Sequence, residues 1–404
     1  MPLSPSTELL AQHLMSSGFL EIYAHHDVDG VAAASLLCTA LTRIHVPFHL
    51  HIRSTITTEM IPTDTPVLLC DFGSSLPDLP ESVMVIDHHV PSFTGEFHVN
   101  PRLSGIDGDL ELSTSGAAYY VARELGENRD LAGLAILGVI GDRQDFQGPN
   151  REILNEGIGN GVISTKPGFM PAGQTIYDRL FLATDPYLPG ISGREAVCKE
   201  MAGIVQPDLP AEDDPLFLSH LVLGVSEEAS AIALQRIVSE SYQLEREVIP
   251  WAPAMAAVID ACGKSGHGGL AVSLCMGDPV GLEEAWDIFS AFRKTILQGI
   301  AEVEPMGEGW YRMDDPSVSS DVADLLSTDL TQSSAIFVIA GDDDICSVSA
   351  RTPPGIHLDL DTIVRTAAAA VGGRGGGHLK RAAATIPAEN ASLFRQTVME
   401  AIPV

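Results

Sequence analysis

The chain has 404 residues, more than a single domain usually contains, so the sequence predicts two or three domains with cores of their own. Its 54 acidic and 23 basic residues give a formal net charge of -31, which excludes a broad nucleic-acid-coating surface, so any polyanionic substrate must be bound locally. The six cysteines form no CxxC pair, so neither a disulfide framework nor a thiolate zinc site is expected. We expect a cytoplasmic protein without a membrane anchor, because neither a signal-peptide pattern nor a long apolar run occurs.

Strand-like and helix-like patterns alternate through the first part of the chain. Four short, apolar segments are typical of buried strands; they are FLEIYA at 19–24, VPFHLHI at 46–52, PVLLCD at 66–71 and SVMVID at 82–87. Three longer segments carry apolar residues at helical spacing; they are VAAASLLCTALTRI at 31–44, TSGAAYYVARELG at 114–126 and RDLAGLAILGVIG at 129–141. This alternation predicts an α/β fold with a mostly parallel sheet covered by helices.

Acidic residues and histidines are concentrated where the predicted strands end. The sequence YAHHDVDG follows the first strand, and later segments end in LLCD and VIDHH. Ligand sites in open α/β sheets lie beyond the carboxyl ends of the strands, so we expect these polar residues to converge in one crevice. They are Asp27, Asp29, Asp71, Asp87 and His88. Divalent cations compensate such a cluster most simply, and mixed carboxylate and imidazole ligands suit manganese or a similar first-row ion.

Each of these positions also has a purely structural interpretation. An aspartate at the end of a strand is often only a helix cap, and this alternative applies to Asp29, Asp71 and Asp142 taken one at a time. Their joint pattern favours metal binding. A further set of histidines alternates along the second predicted strand, where we expect surface or cross-strand residues rather than ligands; the set comprises His45, His49 and His51.

Four separated elements carry a family resemblance. HHDVDG, the single Asp71, DHH at 87–89 and GVIGD ending at Asp142 occur in the order and context of the four motifs of the DHH phosphoesterase superfamily. The chain therefore resembles that superfamily, and four elements in order are more specific than a lone DHH.

The resemblance implies a pair of metal ions that share one ligand. It assigns the first ion to His25, Asp27 and Asp71, and the second to Asp29, Asp71, His88 and Asp142. It also implies that His89 faces the scissile phosphate, the alternative being a buried hydrogen-bonded ring. Asp87 would orient or tune its neighbours.

Two metal ions suit phosphodiester hydrolysis. Together they lower the pKa of a bridging water, hold the phosphate and stabilise charge on the attacking and leaving oxygens. The expected cofactor is two Mn²⁺ per active site, with Mg²⁺ or Co²⁺ as alternatives. No general acid is evident from the sequence.

A second informative stretch, VGGRGGGHLKRAAATI, lies near the C-terminus. Its glycines let the backbone approach a ligand closely and offer amide groups to an anion, although a plain flexible loop is the alternative. The GGGH sequence resembles the signature of the DHH-associated C-terminal domain, and ICSVSARTPPGIHLDL resembles a strand of that domain with a Ser-x-Arg pair. The resemblance implies substrate contacts, with Arg351 gripping a terminal phosphate; the residues concerned are Ser349, Arg351, Arg374, Gly375, Gly376, Gly377 and His378.

The sequence predicts three segments. Residues 1–165 form the metal-binding catalytic domain, 166–250 a linker and helical region, and 251–404 a smaller α/β substrate-binding domain. The apolar runs MAAVIDACG and GLAVSLCMGD after Trp251 are predicted to be strands. This pair of runs, with DPYLPGISG before it, resembles archaeal RecJ-like proteins.

The leading functional hypothesis is RecJ-like exonucleolytic hydrolysis of single-stranded DNA or RNA in a cleft between two lobes. One alternative is a phosphodiesterase for short oligonucleotides or for linear or cyclic dinucleotides. Another, from a different class, is a non-catalytic scaffold that binds a replication or repair protein, against which the intact motifs argue.

Overall fold

The structure is a computed structural model, and it describes residues 3–76, 78–342 and 344–402. The predicted domain limits at residues 1 and 404 lie outside the described residues. The chain divides into two compact units. The N-terminal unit contains the chain up to Lys166 together with Glu240–Phe289, and the C-terminal unit contains Pro167–Ser239 together with the chain from Ser290 onward.

The α-helices are numbered α1 to α15 in chain order: Ser6–Ser16, Val28–Arg43, Thr114–Leu125, Ala132–Gly141, Gly148–Gly159, Ile176–Phe181, Glu195–Ala202, Pro215–Val225, Ala231–Ile237, Ala252–Lys264, Gly268–Cys275, Leu282–Glu302, Ser319–Thr328, Leu360–Ala370 and Ala391–Ala401. The strands are numbered β1 to β13: Leu20–His25, Phe48–Arg53, Val67–Cys70, Met84–Ile86, His98–Val99, Ile163–Phe169, Val238–Leu244, Glu304–Gly307, Trp310–Met313, Ile336–Gly341, Ile345–Arg351, Arg374–Gly377 and Arg381–Pro387. Over the described part of the chain, no helix is both long and apolar enough to cross a membrane.

The N-terminal unit is built on a five-stranded sheet in the order β2-β1-β3-β4-β5. Its strands all pair in parallel, which confirms the predicted α/β fold class with a parallel sheet. The four predicted strands are present as β1 to β4, and the three predicted helices as α2, α3 and α4. Helix α2 is buried along nearly its whole length, because its alanines and leucines leave no polar face toward solvent.

The C-terminal unit contains a six-stranded sheet in the order β12-β13-β11-β10-β9-β8. Most of its neighbours pair antiparallel, while β9 and β10 run parallel. Helix α14 covers this sheet with Leu360, Val364 and Ala367, which are buried. This separate sheet and its helices confirm a second α/β body in the C-terminal part.

Two expectations about the second half of the chain were wrong. The apolar runs after Trp251 form helices α10 and α11 instead of strands. The glycine-rich stretch forms edge strand β12 instead of a loop. Short apolar runs do not distinguish a buried strand from a buried helix. The glycine-rich stretch forms a strand because the backbone groups of β12 pair with those of β13.

The two-unit division also differs from the three predicted segments. Residues 240–289, which the sequence analysis divided between the helical region and the C-terminal domain, pack with the N-terminal unit. Helix α10 approaches the loop after β1 so closely that a Cβ atom on Gly263 would lie 1.8 Å from the carbonyl oxygen of His26. Glycine at this position therefore allows α10 to support the loop that carries the HHDVDG sequence.

We predict that Gly263→Ala lowers the free energy of unfolding by about 1–3 kcal/mol, because the methyl group overpacks a backbone carbonyl. The matched control is Gly269→Ala in α11, where a Cβ atom meets nothing within 4 Å and helix propensity favours alanine by up to about 1 kcal/mol. Urea denaturation of both variants measures the difference. Equal stabilities of the two variants would contradict the close approach of α10.

Candidate metal centre

The carboxyl ends of three neighbouring strands bring the predicted ligands together. His25 is the last residue of β1, Asp71 directly follows β3, and Asp87 directly follows β4. Because β1, β3 and β4 are adjacent and parallel, their ends lie at one edge of the sheet. Asp142 joins them from the C-terminus of α4.

A first group of ligand atoms surrounds His25. Its Nδ1 atom lies 2.8 Å from Asp27 Oδ2 and 3.3 Å from Asp71 Oδ2. Asp27 is also the N-cap of helix α2, where its Oδ1 atom accepts a hydrogen bond from the amide of Gly30 at 3.0 Å. Asp27 therefore caps a helix with one oxygen and faces the cluster with the other.

A second group surrounds His88. Its Nε2 atom lies 3.4 Å from Asp142 Oδ2 and 3.6 Å from Asp71 Oδ1. Asp29, His88 and Asp142 each present a ligand atom, and these atoms lie within 4.8 Å of one another. The two oxygens of Asp71 thus face different histidines, one in each group.

Helix α3 fixes the orientation of two of the carboxylates. The amides of Thr114 and Ser115 donate to Asp29 at 2.7 and 2.8 Å, and the Thr114 hydroxyl donates to Asp71 Oδ1 at 2.8 Å. The interpretation of Asp29 as a helix cap is therefore correct in part. Its carboxylate accepts hydrogen bonds from the first amides of α3, although Asp29 itself lies in α2. A Cβ atom on Gly138 would lie 1.9 Å from Asp29 Oδ1, so only glycine allows α4 to pack here.

Hydrogen bonds orient the two histidines of the DHH sequence. The carbonyl of Gly108 accepts a hydrogen bond from His88 Nδ1 at 2.6 Å, which directs Nε2 toward Asp71 and Asp142. Asp87 accepts hydrogen bonds from the ring Nδ1 and the amide of His89, at 2.6 and 3.1 Å. Asp87 therefore holds its neighbour in place, and the Nε2 atom of His89 is the ring nitrogen not used in that bond.

The charges at this edge perturb one another strongly. Burial raises the pKa of Asp71 to about 6, and the negative charge of Asp27 adds to the increase. Burial lowers the pKa of His88, but Asp142 and the other carboxylates outweigh it and raise the pKa to about 10. Both directions indicate an excess of buried negative charge that binds positive charge tightly.

The donors fit a pair of divalent metal ions. Asp142 Oδ2 is buried and accepts no hydrogen bond within the described chain, as expected of an atom reserved for a ligand. The groups His25, Asp27, Asp71 and Asp29, His88, Asp142 both combine carboxylate with imidazole, which suits first-row divalent ions. All six predicted ligands thus lie within this one cluster.

Comparison with known proteins agrees with this geometry. The model described as the DHH family, N-terminal domain, matches residues 20–139, and the model described as the DHHA1 domain matches residues 311–403. The chain thus contains a DHH-family N-terminal domain and a DHHA1 domain. An uncharacterized protein of Methanocaldococcus jannaschii is 25% identical over 425 residues, covering 95% of this chain and 93% of that protein.

Two solved structures share the fold of this DHH-family chain. RecJ from Thermus thermophilus, in complex with Mn²⁺, aligns with a TM-score of 0.59 at 18% identity, over 100% of this chain and 55% of RecJ. This chain therefore spans about half the length of that protein. CDC45 from Entamoeba histolytica aligns with a TM-score of 0.62 at 12% identity, over 98% of each chain.

The predicted substrate-binding residues of the DHHA1 region lie in the C-terminal unit, on strands β11 and β12 and just after β12. Arg351 is buried, and its guanidinium group donates to Asp324 and Ser320. Ser349 is also buried, with its hydroxyl 3.3 Å from that of Ser319. Both side chains therefore have hydrogen-bond partners inside the C-terminal unit.

The residues around β12 are more accessible. Arg374 is exposed, and Gly375 and Gly376 are partly exposed. Gly377 donates its amide to Asp361 at 2.7 Å, and the His378 amide donates to the carbonyl of Arg381 at 2.7 Å. These two amides are thus committed within the unit, whereas the side chain of Arg374 extends toward solvent.

Sequence reasoning missed the residues that support the ligands. Gln144 is buried and donates to the Gly108 carbonyl at 2.8 Å, beside the hydrogen bond from His88, while its Oε1 atom accepts from Asn150 at 2.9 Å. Thr114 was predicted only as the start of a helix. The position of Gln144, two residues after Asp142, was the one local signal for its role.

We predict that Gln144→Leu lowers the affinity for Mn²⁺ by roughly 10- to 100-fold, because the carbonyl that orients His88 loses its second donor. The control is Gln147→Leu, an exposed position that makes no side-chain cap at the start of α5. Equilibrium dialysis with Mn²⁺ measures both affinities. An unchanged affinity in a folded Gln144→Leu protein would show that this contact does not orient the ligand.

Proposed function

We propose that this protein is a two-metal phosphodiesterase that acts as a RecJ-like exonuclease on single-stranded nucleic acid. The observation that carries the proposal is the position of Asp71, whose two oxygens face two separate groups of carboxylate and imidazole ligands. DHH-family membership supports hydrolysis of a phosphate ester. The fold shared with Thermus RecJ supports the RecJ-like assignment.

The proposed cofactor is a pair of Mn²⁺ ions, with Mg²⁺ or Co²⁺ as alternatives. When bound, such a pair activates water and offsets the charge that develops on the phosphate oxygens. His25, Asp27 and Asp71 would hold one ion, and Asp29, Asp71, His88 and Asp142 the other. All six groups are carboxylates or imidazoles at or close to strand ends or helix termini, so they need little rearrangement to bind.

His89 is proposed to contact the scissile phosphate. Its Nδ1 atom donates to Asp87, a carboxylate that is almost completely buried and also accepts the amide of Ser74 at 2.9 Å. This hydrogen bond fixes the orientation of the ring, and we propose that Nε2 donates a hydrogen bond to a phosphate oxygen when substrate is bound. Burial lowers the pKa of His89, but Asp87 outweighs it and raises the pKa, which favours the cationic form that a phosphate needs.

The scaffold alternative rests on the CDC45 comparison, which covers nearly the whole of both chains. A scaffold has no need for six converging ligands or for Gln144 and Thr114 to orient them. Buried carboxylates without a compensating cation also cost stability, so a non-catalytic protein gains nothing from keeping them. The complete ligand set therefore favours an enzyme.

We predict that Asp71→Asn removes Mn²⁺ binding and reduces hydrolysis at least tenfold, since Asp71 is the ligand common to both groups. Asp78→Asn is a close control, because Asp78 is exposed and has the same left-handed backbone, with φ 62° against 60° for Asp71. Bound manganese and the rate on a labelled oligonucleotide measure the effect. A folded Asp71→Asn protein that keeps more than a tenth of the rate would exclude the shared role.

The products formed from end-labelled oligonucleotides of graded length distinguish the two enzymatic alternatives. With Mn²⁺ present, the proposed exonuclease shortens a long single strand one nucleotide at a time. A phosphodiesterase for short substrates cleaves dinucleotides rapidly and leaves the long strand nearly intact. Absence of hydrolysis on either substrate by a metal-loaded protein would support the scaffold alternative.

We further predict that Arg374→Ala raises the Michaelis constant for oligonucleotides several-fold and changes kcat little, because an exposed guanidinium binds the phosphate backbone without touching the reacting bond. A small chromogenic phosphodiester should be hydrolysed normally. Lys294→Ala, an exposed cation of the same unit, is the control. Equal losses on both substrates would assign Arg374 a structural role, the role that burial already indicates for Arg351.

A further inference from the structure

A second cluster of metal-binding side chains lies on the same sheet, outside the proposed catalytic centre. Strand β2 is an edge of the five-stranded sheet and pairs in parallel with β1. The register places Glu21 beside His49, and Tyr23 beside His51. Alternate residues of a strand face the same side, so Glu21, His49 and His51 share one face of the sheet.

Three ligand atoms converge there. Glu21 Oε2 lies 2.8 Å from His51 Nε2 and 3.5 Å from His49 Nδ1. The two imidazole rings have their centroids 4.2 Å apart, and Tyr23 stacks against His51 at 4.6 Å with an angle of 15° between the rings. One carboxylate oxygen thus faces two ring nitrogens, and the stacked tyrosine fixes the orientation of one ring.

We propose that Glu21, His49 and His51 bind one divalent transition-metal ion of the zinc class. Two imidazoles and one carboxylate are a donor set with which proteins hold Zn²⁺, the remaining position being filled by water. An ion at this position would bond to the Glu21 oxygen and to both ring nitrogens. Without an ion, the same Glu21 oxygen has to accept hydrogen bonds from both imidazoles. The His49 side chain is 63% exposed, so an ion can enter directly from solvent.

This site is separate from the catalytic centre. Glu21 precedes His25 by four residues on β1, which corresponds to about 13 Å along a strand. None of its three donors belongs to the groups around Asp71. His49 and His51 were expected to be surface or cross-strand residues, and they do lie on an edge strand. The third donor, Glu21, is recognised only from the register of β1 and β2.

Binding has a structural consequence for the edge of the sheet. The ion would link β1, through Glu21, to β2, through both histidines. An ion that binds the folded chain and not the unfolded one stabilises the fold, so the thermal midpoint should rise with zinc concentration. The link would hold an edge strand that has a neighbour on one side only.

Zinc binding to the full chain, freed of metal by chelator and redialysed, tests the proposal. The wild-type protein should bind one more Zn²⁺ per chain than His49→Ala or Glu21→Gln, or each variant should bind that ion at least roughly 10- to 100-fold more weakly, the loss seen when even an outer contact to a ligand is removed. His45→Asn is the matched control, because His45 is an exposed histidine near the start of β2 whose left-handed backbone asparagine tolerates. It should bind zinc as the wild type does.

The Asp71→Asn background keeps this test independent of the proposed function. If both proposals hold, Asp71→Asn retains one zinc ion, and adding His49→Ala removes it together with the zinc-dependent rise in thermal midpoint. If only the second site exists, the wild type itself binds one ion that His49→Ala eliminates. The same number of zinc ions, bound with the same affinity, in wild type, His49→Ala and Glu21→Gln would overturn the proposal.

Discussion

The burial of carboxylates at one edge of the parallel sheet is the constraint on which the N-terminal unit depends. Asp29, Asp71 and Asp87 are each no more than 3% exposed. Buried carboxylates without partners are costly, and the structure offsets the cost for each of them differently. Asp29 receives two helix amides, Asp87 receives an imidazole and two amides, and Asp71 receives a single hydroxyl and lies near histidines. Asp71 is therefore the least compensated and the most dependent on a bound cation.

The backbone around Asp71 supports the same conclusion. Asp71 has a φ of 60°, a left-handed conformation that costs a residue other than glycine of order 1–3 kcal/mol. The strand ends one residue earlier, and the Asp71 amide still donates to the Ile86 carbonyl at 2.9 Å. The left-handed turn thus directs the side chain across the ends of β1 and β4 while retaining the hydrogen bond to the neighbouring strand. Strain of this kind persists where surrounding packing enforces it.

The sequence was sufficient to predict the parallel sheet and the convergence of the metal ligands, because both follow from local periodicity and from the rule that parallel strands end together. It was insufficient where distant segments meet. Gln144 and Gly263 matter through contacts to residues 108 and 26, which no local pattern encodes. The prediction of strands after Trp251 was wrong for another reason, since the apolar residues there fit a strand and a buried helix equally well. The phosphate contact expected of Arg351 came from the family resemblance, and the structure adds its burial and its partner Asp324, which the sequence does not show.

The two donor clusters on β1 show how one strand can offer chemically different sites. The cluster around Asp71 is rich in carboxylates, is largely buried and is held by hydrogen bonds from other elements, which favours hard ions and tight control of geometry. The cluster around Glu21 has two imidazoles and one carboxylate on an open face, which favours a softer ion with a preference for nitrogen. A parallel sheet produces this contrast readily, because its carboxyl edge gathers the loops, whereas its edge strand exposes alternate side chains to solvent. Each cluster then selects its ion through the type and burial of its ligands, and neither cluster needs a higher overall metal affinity than the other.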